Sequence, residues 1–138
     1  MSTGAPPIIV STLDLERIEA LLEAPAHRHF PGADALREEL ERANIVEPGA
    51  MPADVVTMNS TATVVDEGNR EEYQLTLVYP READGSPGKV SVLAPVGSAI
   101  LGLRVGQSIK WPMSGGRELV LRVAAINYQP EASGHLHR

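Results

Sequence analysis

The sequence predicts an α+β protein in which two short amphipathic helices precede a mainly antiparallel β-sheet. Residues 11–45 carry apolar side chains at three- and four-residue spacings, which is the helical period. From residue 55 onward, apolar residues alternate or form short β-branched runs between Pro- and Gly-containing turns. The chain has 138 residues, of which 43% are hydrophobic and 22% charged, so a folded protein with a real core is expected.

The first helix is expected to begin at Ser11. Asp14 follows three residues later, as in a capping box with Asp in place of Glu, and Thr12 is an alternative N-cap. Pro25 ends this helix because the residue before a proline is driven out of the α region. The apolar stripe consists of Leu15, Ile18, Leu21 and Leu22.

The second helix is expected from residue 33, after a Pro-Gly pair. Its stripe consists of Ala33, Leu36, Leu40 and Ala43. Two such helices joined by a short loop predict an antiparallel hairpin, each arm about 12 residues and ~18 Å long. Residues 45–54 contain two prolines and a glycine and are interpreted as a linker. This divides the chain into a helical unit, residues 1–48, and a β-rich unit, residues 49–138.

The β-rich unit is expected to contain six strands and one short helix. The strands are predicted at residues 55–59, 61–66, 71–79, 90–93, 107–111 and 117–129, and the helix at 98–101. The long final strand is expected to be bent or bulged. Polar turns are predicted at residues 67–69, 80–89 and 112–116. Hairpin connections between these strands favour an antiparallel sheet with the helix packed across it.

Composition excludes several classes of function. The chain has no cysteine, which excludes disulfides and thiolate metal sites and fits a reducing cytoplasm. Residues 1–48 carry nine acidic and four basic side chains, and residues 49–138 carry nine acidic and eight basic side chains. Neither half therefore has the excess of basic residues that binding to nucleic-acid phosphates requires. Neither a signal peptide nor an apolar run of membrane-spanning length is found, and we expect a cytoplasmic protein without a membrane or nucleic-acid partner.

Candidate catalytic and metal sites are weak. His27 and His29, and His135 and His137, form two imidazole pairs, each without a convincing third ligand. No nucleophile elbow or phosphate-binding loop is found. The most distinctive segment, residues 90–111, is predicted to form a strand, a Pro-Gly turn, a short helix, a Val-Gly turn and a second strand. It contains no obvious nucleophile, base or metal ligand, so its pattern indicates structure rather than catalysis. We therefore expect a binding protein without cofactor, metal or enzymatic activity.

This segment also carries a family resemblance. Residues 90–109, VSVLAPVGSAILGLRVGQSI, resemble the signature of the Gre-type transcript-cleavage factors. The match is closer to the Rnk family, shortened Gre homologues described as regulators of nucleoside diphosphate kinase. It extends to MPADVVTMNS (51–60), TLVYP (76–80) and YQPEASG (128–134). The resemblance implies a short coiled-coil hairpin followed by an FKBP-like β-domain.

The resemblance also implies a partner, RNA polymerase, which Gre factors bind at the rim of the secondary channel. The turn before the short helix is their contact point. Matched by motif, the partner-binding positions are Leu93, Ala94, Pro95 and Val96, with Ser98 and Leu101 nearby on the helix. A charge at Leu93 or Pro95 is expected to abolish binding.

Transcript cleavage is not expected. Gre factors hold a catalytic Mg²⁺ with two acidic side chains at the hairpin tip. The tip region here comprises Glu23, His27, Arg28, His29 and Asp34, and its two carboxylates only flank the loop. An arm of ~18 Å is also less than half the length of a Gre arm of ~45 Å. We expect the protein to occupy the channel entrance as a monomer and to compete with longer factors.

Two alternatives belong to other classes. A direct protein regulator of nucleoside diphosphate kinase or nucleotide pools is one, although the sequence has no nucleotide-binding motif. An FKBP-like prolyl isomerase is the other. It would need an aromatic-lined pocket, and the β-rich unit offers only Tyr73, Tyr79, Trp111 and Tyr128.

Overall fold

The computed structural model describes residues 8–24, 33–83, 88–112 and 118–134. The helices are α1 (Thr12–Glu23), α2 (Ala33–Glu41) and α3 (Pro95–Ile100), with single 3₁₀ turns at Pro48–Ala50 and Pro80–Glu82. The strands are β1 (Ile9–Ser11), β2 (Asn44–Val46), β3 (Thr61–Asp66), β4 (Glu71–Val78), β5 (Lys89–Ser91), β6 (Ser108–Pro112) and β7 (Glu118–Tyr128). The predicted α+β class is confirmed.

The two N-terminal helices form where the apolar periodicity predicts them. The Ser11 hydroxyl caps α1 by accepting the Asp14 backbone N–H at 3.0 Å. Ile18 and Leu22 of α1 are buried, as are Ala33, Leu36 and Leu40 of α2. The other predicted stripe residues are only partly buried: Leu15, Leu21 and Ala43, the last of which lies beyond the end of α2. Helix α2 is shorter than expected, with nine residues.

Two short strands that the sequence analysis did not predict flank this helix pair. β1 leads directly into α1, β2 follows α2, and the two strands pair in parallel from Ile9↔Asn44 to Ser11↔Val46. Residues 44–46 are therefore a strand, so the assignment of residues 45 and 46 to the linker is wrong. Of the helical unit, the structure describes residues 8–24 and 33–48.

The main sheet has five strands in the order β5-β4-β3-β7-β6. All neighbours are antiparallel except β4 and β5, which pair in parallel over Thr76–Val78. Register shifts near Thr61 and Thr63 interrupt the β3–β7 ladder, which agrees with the expected bend in the last strand. The predicted turn at 112–116 lies outside the described residues from 113 onward.

Residues 55–59 do not form the predicted strand. Only an isolated bridge joins Val55 to Arg104, and Asn59 takes a positive φ of 67°. Val55, Val56 and Met58 are all buried, so this segment lacks the exposed alternate face of a surface strand. A short apolar run is compatible both with a strand and with a buried irregular segment. Its hydrophobic periodicity alone does not distinguish the two.

One hydrophobic core joins both parts of the chain. Ile8, Val10, Ile18, Leu22, Leu36 and Leu40 of the helical unit belong to the same buried cluster as Val56, Leu77, Leu103 and Val123. Gly102 lies at this junction with φ 81°, and a Cβ there would approach the Ile8 Cβ to 2.7 Å. The glycine therefore lets the N-terminal segment pack directly on the β-rich unit.

Candidate functional site

The turn before α3 is built by short-range hydrogen bonds from Ser91. The Ser91 hydroxyl accepts the Leu93 N–H, and the Ser91 carbonyl accepts the Ala94 N–H, both at 3.0 Å. Ala94 is the N-cap of α3, and Pro95 occupies the first turn of that helix, where its missing N–H costs nothing. We call Leu93, Ala94, Pro95 and Val96 the contact turn. α3 begins at Pro95, three residues earlier than predicted.

Gly97 sets the distance between α3 and β5. A Cβ at this position would lie 2.1 Å from the Ser91 carbonyl oxygen and 3.0 Å from Leu77 Cδ1. No side chain fits there, so glycine is required by the close approach of helix to strand.

The contact turn forms one wall of an open cleft of about 690 Å³. Buried apolar residues of three strands form its floor: Val64, Leu75 and Leu121. Ala94, Val96 and Val90 add half-buried apolar surface. Polar side chains complete the lining: Asp66, Glu72, Tyr73 and Gln74. A cleft with an apolar floor and a polar, partly acidic lining suits an apolar side chain of a partner.

Five of the six predicted contact residues fall into two groups by burial, and the side chain of the sixth, Pro95, lies outside the part that the structure describes. Leu93, Ala94 and Val96 are half-buried and adjoin the cleft or its turn. Ser98 is only 4% exposed, and its hydroxyl donates to the Val92 carbonyl at 2.6 Å. Leu101 is 2% exposed and belongs to the core. The last two residues therefore support the turn from inside the protein.

The C-terminal end of α1 and the N-terminal end of α2 carry one described carboxylate each. Glu23 is the last residue of α1 and is exposed. Asp34, in the first turn of α2, is exposed and accepts a hydrogen bond from Arg37 at 3.3 Å. His27, Arg28 and His29 lie outside the described residues. Within the described ranges, no three His, Asp or Glu side chains converge on a possible metal site.

A buried polar junction links the helical unit to the β-rich unit. Asp14 is 2% exposed, and its Oδ2 accepts the Met58 N–H at 3.1 Å. Instead of turning back on its own helix as a capping box predicts, this carboxylate reaches into the β-rich unit. Burial raises the pKa of Asp14 to about 6, against the opposing effect of the Met58 hydrogen bond.

Neither this junction nor the cleft floor was predictable from periodicity or from motifs. Asp14 looks like an ordinary capping residue in sequence, because its partner Met58 lies 44 residues away. The floor residues were recognised as strand residues only. Their convergence depends on the strand order, which alternation within one strand does not reveal.

No helix in the described part of the chain is both long and apolar enough to cross a membrane.

Two family models match separate parts of the chain. Residues 51–128 match the family model described as "Transcription elongation factor, GreA/GreB, C-term", and residues 6–46 match that described as "Rnk N-terminus". The contact turn and the residues that line the cleft lie within the first of these regions.

Two groups of relatives resemble this chain in sequence, one over most of its length and the other over a part of it. The "Regulator of nucleoside diphosphate kinase" of Escherichia coli K12 is 50% identical over 129 residues, covering 94% of this chain and 95% of that protein. The "Transcription elongation factor GreA" of Rhodospirillum rubrum is 33% identical over 81 residues, covering 59% of this chain and 52% of that protein.

A solved structure is similar in both sequence and fold. It is described as "Prokaryotic transcription elongation factor GreA/GreB from Nitrosomonas europaea" and is 50% identical, with a TM-score of 0.71 over 89% of this chain and 99% of that one. Together with the two family models, these similarities show that the chain belongs to the Gre transcription-factor family and, within it, to the Rnk group.

Proposed function

We propose that this Gre-like, transcription-associated regulator docks on RNA polymerase at the rim of the secondary channel and competes there with Gre-type factors. One observation carries the proposal. The resemblance implies that this turn contacts the polymerase, and here its residues Leu93, Ala94 and Val96 are half-buried beside an open cleft with an apolar floor. Partly accessible apolar surface beside such a cleft is a common feature of protein contacts.

The contact turn is proposed to supply the direct contacts. Leu93, Ala94, Pro95 and Val96 would meet the partner, and an apolar side chain of the polymerase would enter the cleft. Ser98 and Leu101 would act from within, by holding α3 against β5 and the core.

The helical unit is proposed to be a short coiled-coil hairpin that enters the channel without reaching its active centre. The 12 residues of α1 and nine of α2 give lengths of about 18 and 14 Å. Asp34 is already paired with Arg37, which lowers its availability to a metal ion. We therefore propose that Glu23 and Asp34 hold no catalytic Mg²⁺ and that the protein does not cleave transcripts.

Three further features stay predictions: the FKBP-like arrangement of the β-rich unit, the boundary between residues 48 and 49, and a monomeric, non-enzymatic protein. Among the residues that line the cleft, Tyr73 is the aromatic one, and it is 44% exposed. A prolyl isomerase would need several aromatic rings around a proline, so the cleft favours binding over isomerisation.

The substitution Ala94→Asp tests the docking surface without threatening the fold. Aspartate is a favoured N-cap residue, so it is compatible with the start of α3. Its carboxylate would be desolvated between the turn and an apolar partner, and binding should weaken by roughly tenfold or more. The measurement is binding of the full chain to purified core RNA polymerase, with a Gre factor as competitor.

Val105→Asp is the matched control, because Val105 is a 40% exposed apolar residue of the same unit outside the cleft lining. It should bind like the wild type. Equal binding of Ala94→Asp and wild type would exclude the contact turn as the interface. If the wild type does not bind at micromolar concentration, the docking proposal itself fails.

Direct regulation of nucleoside diphosphate kinase is the second candidate. It is favoured by the similarity to the E. coli "Regulator of nucleoside diphosphate kinase", of which the match covers 95%. The purified kinase replaces the polymerase in the same binding assay. Saturable binding to the kinase alone would favour this function.

A further inference from the structure

The helical and β-rich units meet at a carboxylate that is shared between them. Asp14 belongs to the first turn of α1, yet its Oδ2 accepts the backbone N–H of Met58 at 3.1 Å. The Tyr79 hydroxyl, just beyond β4, lies 3.5 Å from Oδ1, which is a long and weak hydrogen bond. One side chain thus connects α1 to two separate segments of the β-rich unit.

The groups around Asp14 do not neutralise it fully. Arg17 on α1 opposes its negative charge, whereas Glu131, from the turn after β7, adds a second one. Glu131 is held in place by the Thr57 hydroxyl, which donates to its Oε1 at 2.8 Å. Tyr79 is the remaining titratable neighbour, and burial raises its pKa, so it stays protonated in the physiological range. An ionised Asp14 is therefore a buried charge with incomplete compensation.

The backbone and apolar contacts across this junction do not titrate. The Ile9 N–H donates to the Gly102 carbonyl at 3.1 Å, and Ile8 and Val10 are buried in the common core. These contacts hold the two units together in either protonation state of Asp14. The protonation state of the Asp14 carboxyl group then changes how strongly the two units are held together.

We propose that Asp14 is a proton-sensitive latch between the helical unit and the β-rich unit, which is tighter when its carboxyl group is protonated and weaker when it is ionised. The proposal goes beyond docking on polymerase and does not rest on it, because the latch lies wholly within this chain. It would set how firmly the helical unit is oriented relative to the contact turn.

The direction of the pH effect follows from the shift of the pKa. The folded protein raises the pKa of Asp14 above its unfolded value, so the protonated form is favoured by folding. The stabilisation is complete below about pH 4 and is lost as the pH rises through about 6. A shift of this size corresponds to roughly a hundredfold change in the folding equilibrium across that range.

The substitution Asp14→Asn tests the latch by keeping the shape and removing the charge. The amide oxygen can still accept the Met58 N–H. Between pH 5 and 8, the wild type should lose stability towards urea as the pH rises, whereas Asp14→Asn should change much less and exceed the wild type at pH 7.5. Glu16→Gln removes one charge from an exposed position of the same helix and should follow the wild type. Matching pH profiles of Asp14→Asn and wild type would overturn the proposal.

A second measurement needs no variant and stands if Asp14→Asn fails to fold. The amide resonance of Met58 in the wild type should titrate with a midpoint near pH 6, because its hydrogen-bond acceptor changes charge. After correction for intrinsic rates, the Ile9 amide should also exchange faster above this midpoint than below it. A Met58 midpoint at the usual value of an aspartate, or an unchanged Ile9 exchange, would contradict the latch. Both measurements use the free chain, so a failure to bind polymerase does not affect them.

Discussion

At the scale of single residues, Gly97 determines the geometry of the proposed docking surface. In sequence it looks like a turn glycine, and a positive φ would be the usual reason for one. The structure places it inside α3, where the reason is space, since the Ser91 carbonyl fills the position of a Cβ. The contact turn exists in its present form because α3 can approach β5 this closely.

Replacing Gly97 with alanine should therefore destabilise the protein. The new methyl group would have to displace backbone, and overpacking of this kind typically costs about 1–3 kcal/mol. Thermal unfolding should show a midpoint lower by roughly 5 °C or more. Gly49→Ala is the control, because nothing lies within 4 Å of a Cβ at Gly49, and it should be nearly neutral. Equal midpoints for the two variants would show that α3 can move away without cost.

At the scale of structural elements, the segment 55–60 is held by side chains from outside the sheet. The Gln129 amide donates to the carbonyls of Pro52 and Val55 at 2.7 and 2.8 Å, and its oxygen accepts the Ala132 N–H. Asp14 holds the same segment from the helical side through Met58. These long-range bonds replace the ladder that a strand would have made.

Gln129→Leu should loosen this segment, because the carbonyl oxygens of Pro52 and Val55 would lose a buried donor. The expected loss of unfolding free energy is about 1–3 kcal/mol, measured by urea denaturation. Asn127→Leu provides the comparison: Asn127 is exposed and accepts one bond from the Thr63 hydroxyl, so its loss should cost far less. A Gln129→Leu variant as stable as Asn127→Leu would mean that water or local rearrangement satisfies both carbonyls.

At the scale of the whole molecule, the two units share one core although two family models cover them separately. Val10 is buried at 1% exposure among residues from both units. The common core implies that the helices and the sheet unfold together.

Val10→Ala should lower the unfolding midpoint equally for two probes, the helical circular dichroism signal and the fluorescence of Trp111 on β6. The lost burial and the remaining cavity should cost roughly 2 kcal/mol. Ile45→Ala, at a 40% exposed position of β2, should have a small effect. Two separate transitions, with only the helical one shifted by Val10→Ala, would contradict a common cooperative unit.

Structural features that depend on sequence patterns within about ten residues were predictable. The Ser11 cap, the buried stripe of α2 and the β3 and β4 strands all depend on local periodicity, and the structure confirms them. β1 and β2 were missed because three-residue strands have no measurable period and pair across about 35 positions. The position of the contact turn was predicted from a motif resemblance. The cleft beside it and the Asp14 junction depend on tertiary neighbours that no local pattern encodes.

The parallel pairing of β1 with β2 has a consequence for protein engineering. Because these strands close the base of the helical unit, the C-terminal end of α1 at Glu23 and the N-terminal end of α2 at Ala33 both lie at its opposite end. Matched insertions of one heptad into each helix would extend the arms by about 10 Å while leaving the base and the contact turn unchanged. The protein is thus a natural scaffold for probes of graded length, with which the depth of a partner's channel can be measured one heptad at a time.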